Sequence, residues 1–179
     1  MAAKATVFKA ELSVSDMDRH YYATHALTLA MHPSETEERL MVRVLAFALN
    51  ASERLAMGRG ISSTEEEPDL WDRDLTGVID LWIEVGQPDE QRLRKACGRA
   101  GEVRVYCYSG RSAAMWWQKS EADFARFKNL LVFEIPAETT AQLGALAARN
   151  MNLQCLVQDG HVQLSTDTAS ADIALNTLK

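Results

Sequence analysis

The stretch TGVIDLWIEVGQPDEQRLRKACGRAGEVRVYCY (residues 76–108) decides the fold class. Residues 77–85 carry apolar side chains on both faces, the pattern of an interior strand. Gly86-Gln87-Pro88-Asp89 breaks that strand, and Pro88 stands where the first turn of a helix tolerates it. Leu93, Ala96, Cys97 and Ala100 then recur on one side of a helix that ends near Gly101. Val103, Val105 and Cys107, with Tyr106 and Tyr108, make the next strand. Strand, short turn, helix and strand within about thirty residues is a parallel crossover unit, and its hand should be right.

Upstream, KATVFKAELSV (residues 4–14) alternates with a period of two. Thr6, Phe8, Ala10, Leu12 and Val14 share one face, so a half-buried strand is expected. His25, Leu27, Leu29 and Met31 repeat the alternation, and Asp16-Met17-Asp18 turns the chain between the two into an N-terminal hairpin. Ser34 with Glu37 three residues later reads as a capping box. Leu40, Met41, Val44, Leu45, Ala48, Leu49 and Leu55 follow at helical spacing until Gly58 and Gly60, which predicts a helix over 35–57 packed on a sheet. The acidic stretch 62–76 reads as a loop.

Downstream, 112–118 and 122–128 read as short helices, 130–135 as a strand and 140–148 as a helix. Residues 153–158 and 161–165 form a C-terminal hairpin turned by Asp159-Gly160. The order is that of an α/β (α+β) protein, one domain over 1–179, with a central mixed sheet flanked by helices and a hairpin at each end.

Composition narrows the function classes. The 179 residues are 47% hydrophobic and 25% charged, as in ordinary globular proteins. The net charge of −6 opposes a general affinity for polyanions. Cys97, Cys107 and Cys155 are odd in number and widely spaced, so a disulfide framework or a structural zinc is not expected and a reduced, cytoplasmic setting is. The opening MAAKATVFKAEL lacks the apolar core of a secretory signal, and no apolar run reaches the ~18 residues of a membrane span. No membrane partner is expected.

The charge is not spread evenly. Residues 62–90 hold ten acidic side chains against one base, Arg73, whereas residues 91–119 hold seven bases against one acid, Glu102. One reading is two solvated faces that attract each other. The other is a basic surface able to meet phosphates, with Arg92, Arg99 and Arg111 as its nucleic-acid-binding residues and Trp116-Trp117 beside Arg111 to stack an unpaired base.

Phosphate-loop, dinucleotide, nucleophile-elbow and H-E-x-x-H motifs are all absent, and no organic cofactor is expected. The conspicuous residues are Asp80 and Glu84, carboxylates inside an otherwise apolar strand. Each must reach water, a cation or a metal. Two hard oxygen donors near Lys95 on the following helix would suit Mg²⁺ and phosphoryl chemistry. A carboxylate pair salt-bridged to that helix accounts for the same residues.

MHPSETEERLMVRVLAFALNASERLAMGRG (31–60), LWIEVGQPDEQRLRKAC (81–97) and KATVFKAELSVSDMDR (4–19) resemble the YaeQ family of bacterial proteins along essentially the whole chain. The resemblance implies a restriction-endonuclease-like fold, similar to the PD-(D/E)-x-K nucleases, with a carboxylate-rich metal site in active relatives. On that resemblance Gly77-Val78-Ile79-Asp80 looks like the metal-binding aspartate element, and Glu84 like the acid of (D/E)-x-K. A glutamate of the preceding helix, Glu35 or Glu38, joins them. The implied Mg²⁺ ligands are Asp80, Glu84 and Glu38, with Lys95 as the catalytic cation. Two departures stand beside it. Gly86 occupies the place of the motif lysine, and Asp80 and Glu84 lie ~13 Å apart on an unbroken strand. The expected function is a Mg²⁺-dependent nuclease or phosphodiesterase with a divergent site. The alternative is a non-catalytic scaffold on the same fold that binds nucleic acid or a protein.

Overall fold

The computed structural model of the protein describes residues 4–59 and 67–179. Among the described residues, eleven strands and four helices follow in the order β1 (Thr6–Asp16), β2 (Tyr21–Met31), α1 (Glu37–Asn50), β3 (Leu55–Met57), β4 (Leu70–Arg73), β5 (Ile79–Val85), α2 (Glu90–Arg99), β6 (Ala100–Cys107), α3 (Arg111–Phe124), β7 (Leu130–Glu134), α4 (Ala137–Ala145), β8 (Asn150–Gln158), β9 (His161–Ser165), β10 (Ser170–Ile173) and β11 (Asn176–Thr177). The mixed α+β class holds, but the strands divide between two sheets rather than one. One sheet runs β10-β9-β8-β1-β2 and the other β11-β7-β6-β5-β4-β3.

The two hairpins lie in the same sheet. β1 pairs antiparallel with β2 from Thr6↔Met31 to Asp16↔Tyr21, and parallel with β8 from Lys9↔Asn150 to Asp16↔Val157. β8 turns back into β9. In the second sheet β5, β6 and β7 are parallel, so the expected crossover through α2 is present.

The helix α1 lies between the sheets. Leu40 through Ala48 are all buried, and they share a core with Phe8, Leu12 and Leu29 of one sheet and Leu70, Ile83 and Val85 of the other. A helix covered on every side needs apolar residues all round it, which is why its stripe is so broad. A second core lies across the six-stranded sheet, where Trp82, Val103, Val105 and Val132 meet Leu93 and Ala96 of α2 and Ala113 and Phe124 of α3.

Several boundaries differ from the expected ones. The N-cap of α1 is Thr36, whose side chain accepts from Arg39 N at 3.1 Å. Ser34 instead pairs with the ring of His32 at 2.7 Å. The helix stops at Asn50, and the chain turns into β3. Gly58 is no helix cap. Its N–H donates to Asp69 O at 2.7 Å, and a Cβ there would stand 2.0 Å from Pro68 O, so only glycine allows this approach. Gly60 lies outside the described residues. The expected loop over 62–76 contains β4, and the two short helices after residue 111 are one, α3.

Candidate functional site

Buried charge gathers around one end of the six-stranded sheet. Glu35 precedes α1, and Arg39 and Arg43 follow on the same side of it at intervals of four. Arg43 is only 1% exposed. Its Nε and Nη2 donate to the two carboxylate oxygens of Glu35 at 2.8 and 2.9 Å, and Nη2 also reaches Ala30 O at 3.0 Å. Arg39 bridges two acids, Glu35 Oε1 at 2.9 Å and Asp69 Oδ1 at 2.8 Å. Asp69, just ahead of β4, takes Val85 N on its other oxygen at 2.7 Å. An uncompensated buried carboxylate is costly, and here every one is met by a guanidinium or a backbone N–H.

Glu84 faces α2 from β5. It accepts from Trp82 Nε1 at 2.7 Å and from Arg92 Nε at 2.8 Å, while Arg92 Nη2 holds Glu67 O at 2.9 Å. Burial pushes the Glu84 carboxyl up to about 7, and the nearby charge of Asp69 adds to it. Arg92 and the Trp82 indole pull the other way without offsetting the desolvation. Tyr108, beside this cluster, is likewise raised by burial.

Asp80 does not join Glu84. Against β4 it is the extra residue of a bulge, since Asp72 pairs with Leu81 and Arg73 with Ile79, whereas the β5–β6 register runs on unshifted from Ile79↔Ala100 to Leu81↔Glu102. Asp80 stands near the start of β5, four residues from Glu84 at the other end, and there Arg54 Nη2 binds it at 2.8 Å and Asp72 at 3.1 Å. Glu38 is exposed on α1 and lies against Gly144 of α4. Lys95 is an exposed residue of α2. Arg99, on the same helix, stacks its guanidinium 5.1 Å from the centre of the Trp82 ring. Arg111 opens α3 and is exposed.

Asp80, Glu84 and Glu38 therefore do not fit one Mg²⁺ ion. Among the described residues no group of three or more His, Cys, Asp or Glu side chains is placed to hold a metal. The cluster that does form, Glu35, Arg39, Arg43, Asp69, Glu84 and Arg92, was legible only in part. Arg43 stands out as a charge inside an apolar helical stripe, and Pro68-Asp69 as a dipeptide ahead of the apolar Leu70-Trp71. No helix among the described residues is long and apolar enough to cross a membrane.

These features define a class: a mixed α+β protein with two sheets around a buried helix, and a carboxylate cluster closed by arginines at one sheet end. The chain belongs to the YaeQ family, whose model, described as YaeQ protein, matches residues 1–175. It is 45% identical over 175 residues to the YaeQ protein of Escherichia coli strain K12, covering 98% of this chain and 96% of that one. Identity to the Salmonella typhi protein is 46% over the same length. The crystal structure of the YaeQ protein from Xanthomonas axonopodis pv. citri superposes with a TM-score of 0.93 at 52% identity, over 98% of both chains. That from Pseudomonas syringae superposes with 0.92 at 34% identity, over 98% of this chain and 96% of that one.

Proposed function

We propose that this chain is a nucleic-acid-binding protein on a PD-(D/E)-x-K nuclease-like fold that does not hydrolyse its ligand. The fold reading is supported by the run α1-β3-β4-β5-α2-β6, by Pro68-Asp69 opening β4, and by Glu84-Val85-Gly86 closing β5, with Asp69 bonded to Val85. Gly86 replaces the motif lysine at φ +113, a backbone conformation that a lysine would adopt only under strain.

One observation carries the non-catalytic reading. The carboxylates that would be metal ligands, Glu35, Asp69 and Glu84, are already ion-paired to Arg39, Arg43 and Arg92 at 2.8–2.9 Å. A divalent cation would have to displace guanidinium groups held by two or three hydrogen bonds each. The test is incubation with single- and double-stranded DNA and RNA in millimolar Mg²⁺ or Mn²⁺, with binding followed in parallel. Salt-sensitive binding without cleavage supports the reading. Cleavage that disappears in Asp69→Asn, or a metal-dependent rise in Tm that the same variant removes, overturns it.

A further inference from the structure

We infer that the groove between α3 and the β5–α2 loop binds a single-stranded nucleic acid, one base lying on Met115 and Trp116 and its flanking phosphates on Arg111 and Lys119. The inference rests on the reading above and names where the ligand sits. Gln87, Arg111, Ser112, Met115, Trp116 and Lys119 line a cavity of about 600 Å³, within the range of small-ligand sites.

Charge in the basic block singles out this place. Arg92 is taken by Glu84, Arg94 by Glu90, and Arg104 by Glu102 and Asn50. Among the described residues neither Arg111 nor Lys119 has an ion-pair or hydrogen-bond partner, and no carboxylate lines the cavity. Residues 111, 115 and 119 recur every four positions, so the two cations stand ~12 Å apart along α3 with Met115 between them. Met115 is 50% exposed, an apolar side chain open to solvent between two cations.

The walls are fixed in advance. Gln87 Nε2 donates to Tyr108 O at 2.8 Å, Ser112 Oγ donates to Gln87 Oε1 at 3.1 Å, and Trp116 Nε1 donates to Pro88 O at 2.9 Å. Trp116 is braced from behind by Phe124, 5.5 Å between ring centres. A rigid aromatic wall between unpaired cations suits a base with its phosphates on either side, because stacking needs only a π-face and the phosphates need only charge. A duplex cannot use the apolar floor, since its base faces are already stacked.

The experiment is fluorescence titration of the full chain with an oligothymidylate and with a duplex of the same length, across a salt series. The expected result is tryptophan quenching by the oligothymidylate with at least tenfold weaker binding of the duplex. Arg111→Gln with Lys119→Gln should weaken the single strand at least tenfold and lower the log–log salt slope by about 1.4, two contacts at ~0.7 each. Trp116→Phe should lose most of the quenching and stay folded, with Tm lowered only by the lost bond to Pro88 O, and Lys9→Gln, on the outer face of the five-stranded sheet, should bind as the parent does. Binding that the double variant leaves unchanged overturns the groove while the proposed function stands. Equal affinity for the duplex overturns the stacking geometry. Absence of binding to any nucleic acid at low salt overturns the proposed function and the groove with it.

Discussion

The Nε of Arg92 lies 2.8 Å from Oε1 of Glu84, on the face of the six-stranded sheet that α2 covers. The pair is nearly dry, with Glu84 5% and Arg92 27% exposed at the side chain. It ties the end of β5 to the first turn of α2, and through Glu67 O to the segment ahead of β4. A cation that elsewhere would be free for a ligand is thereby spent inside the protein.

Glu84 should impose a pH dependence on stability. Its carboxyl sits at about 7 when folded and at the ordinary value near 4.5 when unfolded. Between those values the folded chain holds a proton that the unfolded chain has released. The contribution of this group therefore falls as pH rises from about 4.5 to about 7, by about 3 kcal/mol in all. Urea melts of the parent and of Glu84→Gln at pH 5 and pH 7.5 should show that difference closing in the variant. A parent–variant gap that stays constant across pH would refute the burial account.

Arg43 should be among the costliest side chains to remove. Arg43→Ala leaves the Glu35 carboxylate buried with Arg39 alone, and a cost of about 3–5 kcal/mol is expected in denaturant melts. A double-mutant cycle with Glu35→Ala should recover much of the loss, because the stranded charge goes with it. Strict additivity of the two would mean that the pair is not the source of the cost.

The start of α1 offers a clean contrast. Thr36→Ala should cost about 1 kcal/mol, since it frees Arg39 N, whereas Ser34→Ala should stay within about 0.5 kcal/mol, since Ser34 is exposed and outside the helix. Thermal melts would reverse the assignment of the cap if Ser34→Ala proved the costlier change.

Gly58→Ala should loosen the edge of the six-stranded sheet. The new methyl would meet Pro68 O at 2.0 Å, so β3 must shift away from β4. Faster amide exchange at residues 55–57 and 70–72, with a lowered Tm, is the expected signature. An unchanged exchange pattern would show that the two backbones can part without penalty.

Leu45→Ala tests the position of α1 between the sheets. The side chain is fully buried in the shared core, and a loss of about 2–5 kcal/mol is expected in urea. A neutral result would place this face of the helix against solvent.

Side-chain order along the chain settles what is local and periodic. The two-residue alternation of β1, the broad apolar stripe of α1, the Gly86–Asp89 break and the Asp159-Gly160 turn all follow from side-chain spacing and turn chemistry, and the family follows from residues quoted along the whole chain. The short β3 and β4 were not legible, because three- and four-residue strands carry too few positions to show a period. The division of the strands into two sheets came only from the tertiary structure, since β1 pairs with β8 across more than a hundred intervening residues. The same holds for the site. Asp80 and Glu84 attract notice as charges in an apolar strand, yet they stand near its two ends, and Glu84 finds Arg92 while Asp80 finds Arg54. Partners of buried charges are chosen by packing in three dimensions, where Glu35, Asp69 and Glu84 come to one sheet end and three arginines close around them.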